Sequence, residues 1–128
     1  MQVSSIVGLR AVPHSSLYSA SKYALNGLSD ALRVELQRSN IVVTSIYPGV
    51  TETSFMANQL RPPPARKRRR AVPAERVAEH IVRSIEKQSR AEYVSLTDRL
   101  FVGAAMALPG LAERVLGLLF RRRRGITE

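Results

Sequence analysis

The segment Ile41-Val42-Val43-Thr44-Ser45-Ile46-Tyr47-Pro48-Gly49 decides the fold. Its first seven residues are rich in β-branched side chains and do not alternate apolar with polar, the pattern of a parallel strand covered on both faces. Pro48-Gly49 ends it. A parallel strand needs a crossover, and the residues ahead of it supply one. Leu17 to Arg38 reads as a helix, with Leu17, Ala20, Ala24, Leu25, Leu28, Leu32 and Leu36 at three- and four-residue steps as one apolar stripe. The run His14-Ser15-Ser16 offers a serine cap at its start, and Ser39-Asn40 closes it. Further upstream, Met1-Gln2-Val3-Ser4-Ser5 reads as the last residues of a strand, followed by a loop through Gly8 and Pro13.

Downstream, Ala74 to Gln88 predicts a second helix carrying Val77, Ile81 and Ile85 on one face, and Glu92 to Leu96 a third strand. Strand, helix, strand, helix, strand is the order of right-handed βαβ units. The expected class is therefore α/β, part of a doubly wound parallel sheet, over residues 1–97. Within it, residues 50–72 hold Pro62-Pro63-Pro64 and a basic cluster without apolar periodicity, and read as a flexible surface loop. Residues 98–128 form a tail that is apolar from Leu100 to Ala112, interrupted at Pro109-Gly110, and basic at its end. It reads as two short helices packed on the domain.

In 128 residues there are 20 Lys and Arg against 10 Asp and Glu, for a formal charge of +10. The excess is local. Arg61, Arg66, Lys67, Arg68, Arg69 and Arg70 form one cluster and Arg121 to Arg124 another, and without them the chain is neutral. That distribution suits an enzyme body with two basic appendages better than a nucleic-acid-binding face, and no aromatic residues interleave with the arginines for base stacking. With no cysteine and only His14 and His80, neither a disulfide framework, a thiolate nucleophile nor a metal cluster is expected. No run approaches the ~20 apolar residues of a membrane span. A cytoplasmic location follows by elimination, with peripheral membrane contact through the tail as an option, since its apolar stretch and arginines suit a lipid interface.

Tyr18 and Lys22 lie four residues apart at the start of the first helix, which puts phenol and ammonium one turn apart on the same face. A cation there favours the phenolate. Alone the pair is weak, but it has company: Val3-Ser4-Ser5-Ile6-Val7-Gly8 precedes it, Tyr18-Ser19-Ala20-Ser21-Lys22 contains it, and Ile41 to Gly49 follows it. Together these resemble the C-terminal half of the short-chain dehydrogenase/reductase family, over residues 1 to about 97. The resemblance implies a Rossmann-type fold that binds NAD(H) or NADP(H) and interconverts an alcohol and a carbonyl by hydride transfer.

In that family's terms Tyr18 is the catalytic acid/base, Lys22 supports the phenolate and holds the nicotinamide ribose, and Ser5 orients the substrate oxygen. Pro48, Gly49, Thr51 and Thr53 match the turn beside the nicotinamide, with Thr51 where the family usually has valine or isoleucine. Residues 50–72 match a region that often forms a substrate lid. The implied partners are a small alcohol or carbonyl, of lipophilic character, and a second copy of the chain. The family's glycine-rich phosphate turn, cofactor selector and Asn-Ala-Gly motif are expected ahead of residue 1. A catalytically silent fragment is therefore the alternative function, and a basic membrane-surface binder a further one.

Overall fold

The computed structural model describes residues 1–56, 58 and 71–121. Three strands, β1 (Gln2–Val3), β2 (Ser45–Tyr47) and β5 (Ala91–Tyr93), form one parallel sheet in the order β1-β2-β5. The register pairs Gln2 with Ser45 and Val3 with Ile46 on one side of β2, and Ser45 with Ala91 through Tyr47 with Tyr93 on the other. All three residues of β2 are buried, which is why this strand carries no alternation. The α/β class and the parallel order are as the sequence implies.

Helix α1 (Ser16–Glu35) crosses from β1 to β2, and α2 (Ala74–Glu86) crosses from β2 to β5. After α1 the chain turns back at Asn40, whose left-handed backbone (φ 53°) suits asparagine. The sheet's core is small: Ile46, Val77 and Val94 pack together, with Val72 and Ile81 against them. Ile85 does not join it and stays exposed, because Ser84 is the residue that α2 buries at that turn.

The expected apolar stripe of α1 is a correction. Leu17 is 87% exposed and Leu28 51%, while the buried positions are Ser19, Asn26 and Ser29. The helix packs through small polar residues because its contact is the tight turn after β1, where backbone approaches backbone. A methyl on Gly8 would lie 2.8 Å from Lys22 Cβ and 2.9 Å from the Lys22 carbonyl carbon. Gly27, by contrast, faces open space rather than a close neighbour.

The loop expected over 50–72 is also corrected in part. β3 (Thr51–Glu52) and β4 (Val72–Pro73) pair in parallel, Thr51 with Val72 and Glu52 with Pro73, and a 3-10 turn covers Ser54–Met56. Residues so short in pairing have no periodicity to read. The basic cluster between Arg61 and Arg70 lies outside the described residues, as do Arg122 to Arg124.

The tail forms two helices, α3 (Leu96–Ala107) and α4 (Pro109–Arg121), bent by 119° at a break before Pro109. Pro109 starts α4 at the position where a missing N–H costs nothing. Arg10 anchors that end, donating from Nη2 to the Pro109 carbonyl and the Glu113 carboxylate at 3.4 Å each. Near the far end the Phe120 ring lies 5.9 Å from that of His14.

Candidate active site

The site is built where β1 gives way to a 3-10 turn (Ile6–Gly8) that packs on α1. The parallel ladder runs past the strand ends: Ser4 N–H donates to the Ile46 carbonyl at 2.9 Å and Ile6 N–H to that of Pro48 at 3.1 Å. This continuation places Ser5 beside Pro48. The Ser5 hydroxyl donates to the Pro48 carbonyl at 3.3 Å and accepts from Val7 N–H at 3.4 Å, capping the turn.

One turn into α1, Tyr18 and Lys22 share a face. The ammonium lies 5.7 Å from the centroid of the Tyr18 ring and donates to the Val3 carbonyl at 2.9 Å. Lys22 is thereby tied to the last residue of β1, two before Ser5. Two of its three protons are left for other acceptors. Among the described residues the Tyr18 hydroxyl makes no hydrogen bond, and its ring packs on Phe55 at 5.5 Å. No hydrogen bond there links Ser5 to Tyr18 or Lys22; the structure joins the two groups through the backbone of residues 3–5.

The remaining residues of the turn serve local ends. The Thr51 hydroxyl donates to the Gly49 carbonyl at 3.4 Å, and the Thr53 hydroxyl accepts from Phe55 N–H at 3.4 Å, setting the turn that carries Phe55 against Tyr18. Gly49 has a steric duty, since a methyl there would run into the carboxylate of Asp98 on α3.

Three residues that the sequence reading passed over hold this arrangement. Asn26 donates from Nδ2 to the Gly8 carbonyl at 2.7 Å, fixing the turn to α1. It follows Lys22 by four residues, so helical spacing was a signal for it. Tyr23 donates its hydroxyl to the Leu9 carbonyl at 2.6 Å. Arg33 donates to the Val43 carbonyl (2.9 Å), the Ser45 hydroxyl (2.6 Å) and the Arg90 carbonyl (3.1 Å), and also pairs with Asp30. Nothing in the local sequence marks it.

Elsewhere, His80 Nδ1 and Glu92 Oε1 meet at 2.8 Å beside a shallow pocket of about 350 Å³ lined by Tyr93, Ser95 and Arg99. Among the described residues no cluster of three His, Asp or Glu is placed to hold a metal.

A sequence profile described as short chain dehydrogenase matches residues 1–64, half of the chain. The chain belongs to the short-chain dehydrogenase family of oxidoreductases. It is 45% identical over 60 residues, 47% of this chain and 19% of the relative, to a dehydrogenase/reductase SDR family protein 7-like from Anopheles gambiae. Against the uncharacterized oxidoreductase YxnA of Bacillus subtilis it is 29% identical over 121 residues, covering 91% of this chain and 34% of that one. Its fold is similar to a short chain dehydrogenase from Burkholderia cenocepacia solved in complex with NADP, with a TM-score of 0.72 at 22% identity over 89% of this chain and 45% of that one. The chain thus spans from about a fifth to less than half of the length of these relatives.

Proposed function

We propose that this chain supplies the catalytic half of an NAD(P)-dependent oxidoreductase that interconverts an alcohol and a carbonyl. The observation that carries the reading is the Lys22 ammonium held between the Tyr18 ring and the Val3 carbonyl. The NADP bound by the Burkholderia relative supports a nicotinamide dinucleotide as the cofactor class.

The residues present fit the nicotinamide end of such a cofactor. Lys22 has two protons free for ribose hydroxyls, and Pro48 lies against Ser5 and Ile6, just past β1. They do not supply a pyrophosphate cradle, since no two of the chain's seven glycines stand one residue apart. When bound, the nicotinamide supplies or accepts the hydride.

Tyr18 moves the matching proton: its phenol protonates the substrate oxygen during reduction, and its phenolate takes that proton during oxidation. The Lys22 ammonium, beside the Tyr18 ring, puts a positive charge next to that proton transfer. Ser5 would donate to the same oxygen after its hydroxyl turns away from Pro48. That rotation strands nothing, because the Pro48 carbonyl keeps the Ile6 N–H. Phe55 beside Tyr18 gives the site an apolar wall and favours a substrate with a lipophilic substituent.

The test joins residues 1–128 behind the part of the Burkholderia enzyme that this chain does not cover, and follows oxidation of NADPH or NADH with a panel of aryl and alkyl ketones. Turnover of at least one ketone is the expected result. A monodisperse joined protein that binds reduced cofactor but turns over none of the panel would overturn the reading.

A further inference from the structure

The helices of the tail bury one side and leave another bare. In α3 the inward residues are Val102 and Ala105, and in α4 Leu116. Opposite them stand Leu96 and Leu100 on α3, and Leu111, Val115 and Leu118 on α4, each 45% exposed or more. The α4 residues follow at steps of four and three, which makes them one stripe rather than scattered contacts.

We propose that α3 and α4 form a docking element that lies in the surface of an anionic bilayer, with these outer faces in the boundary between headgroups and acyl chains. The reasoning starts from length. Helices of 12 and 13 residues are about 18–20 Å long, short of the ~30 Å hydrocarbon core, and the 119° bend prevents their acting as one rod. No single described helix is long and apolar enough to cross a membrane. The pair can present apolar surface to lipid only by lying along it.

Charge selects the occupant. From residue 96 to 124 the sequence has six arginines and no lysine, against Asp98 and Glu113. Glu113 is paired with Arg10 at 3.4 Å. Arg114 comes three residues after Leu111 and four before Leu118, beside the exposed stripe, where its aliphatic stem can follow apolar contacts and its guanidinium can reach lipid phosphates. The arginine run from 121 continues from the end of α4. A second copy seated on this face would bring the same cations together, whereas anionic headgroups neutralise them. Arg10 and His14 hold the other side of α4 against the loop that enters α1 ahead of Tyr18, which leaves this face turned outward.

The full chain is floated with vesicles of phosphatidylcholine alone, and of phosphatidylcholine with about 30% phosphatidylglycerol, at low and high salt. We expect binding to the anionic vesicles at low salt, weakened at least tenfold by high salt or by Arg121–Arg124→Gln. The double variant Leu100→Glu/Leu118→Glu, checked for fold by far-UV circular dichroism, should lose binding about tenfold or more. Val82→Glu, an exposed apolar site on α2, should not. Because the chain has no tryptophan, Leu118→Trp adds a sole tryptophan, excited selectively over the tyrosines, whose emission should shift to the blue on anionic vesicles, and it decides the matter should the double variant not fold. The proposal is overturned by a parent that stays with the buffer at low salt, by a Leu118→Trp emission that does not move, or by a folded double variant that floats as the parent does. It is equally overturned by a parent that is dimeric without lipid and that the double variant makes monomeric.

Discussion

The ammonium of Lys22 sits 5.7 Å from the centre of the Tyr18 ring and is held there by the carbonyl of Val3 at 2.9 Å. The helical step of four residues brings the two side chains to one face, and the strand end fixes the lysine's reach. Because Val3 and Ser5 belong to the same stretch of backbone, the cation, the phenol and the serine are positioned by one junction: the turn of residues 6–8 seated on α1.

Gly8 is the point at which that junction is tightest. An alanine methyl would meet Lys22 Cβ at 2.8 Å, Asn26 Nδ2 at 2.9 Å and the Lys22 backbone at 2.9 Å. Side chains can yield but the helix backbone cannot. Gly8→Ala should cost about 1–3 kcal/mol, read as a lower denaturant midpoint at unchanged slope. An unchanged midpoint would mean that the turn does not rest on α1.

Arg33 ties α1 to the residues flanking β2 and β5 through the Val43 carbonyl, the Ser45 hydroxyl and the Arg90 carbonyl. Arg33→Met keeps the stem and strands two acceptors, the Val43 carbonyl and the hydroxyl of the fully buried Ser45, while the Arg90 carbonyl keeps the Ser45 N–H, at a cost of about 2–3 kcal/mol. Arg33→Lys should recover less than half, because an ammonium cannot reproduce the planar fork. Full rescue by lysine, measured by denaturant unfolding, would show that charge alone matters there.

These residues show what a sequence can and cannot disclose. The run from Ile41 to Tyr47 was legible as a strand because burial on both faces removes alternation, although the strand itself covers only Ser45–Tyr47 and Ile41 and Val42 remain exposed. Tyr18 and Lys22 were legible as a pair because helical spacing is local. The buried face of α1 was not: hydrophobicity points to Leu17 and Leu28, whereas the partner is a backbone turn that accepts only small or hydrogen-bonding side chains. Arg33 was invisible for a related reason, since the partners through which it ties α1 to the sheet lie 10 to 57 residues away. The β3 and β4 pairing escaped because two-residue strands carry no period.

Burial pushes the Tyr93 phenol above its ordinary range, with the neighbouring Tyr47 adding to the shift and Arg99 opposing it. The folded chain holds this proton more tightly than the unfolded one. Tyr93 therefore costs no stability below the unfolded value near 10, and stability falls as pH rises through the raised folded value. The gap between parent and Tyr93→Phe should be constant up to about pH 10 and then move against the parent. Curves that stay parallel throughout would contradict this.

For the chain by itself, titration with NADPH followed by nicotinamide fluorescence and thermal shift should show no saturation below about 1 mM, because no two of its glycines have the spacing of a pyrophosphate-binding turn. A saturable micromolar signal from a monodisperse sample would show that residues 1–128 hold the dinucleotide unaided.

The role given to Tyr18 is tested most directly by Tyr18→Phe in the joined protein, compared with its parent by kcat on a ketone the parent reduces and by Kd for NADPH. The substitution keeps the ring on Phe55 and the face that Lys22 lies against, and removes only the hydroxyl. The account predicts a kcat lowered at least about 100-fold with Kd within about threefold. A kcat within about threefold of the parent would contradict it.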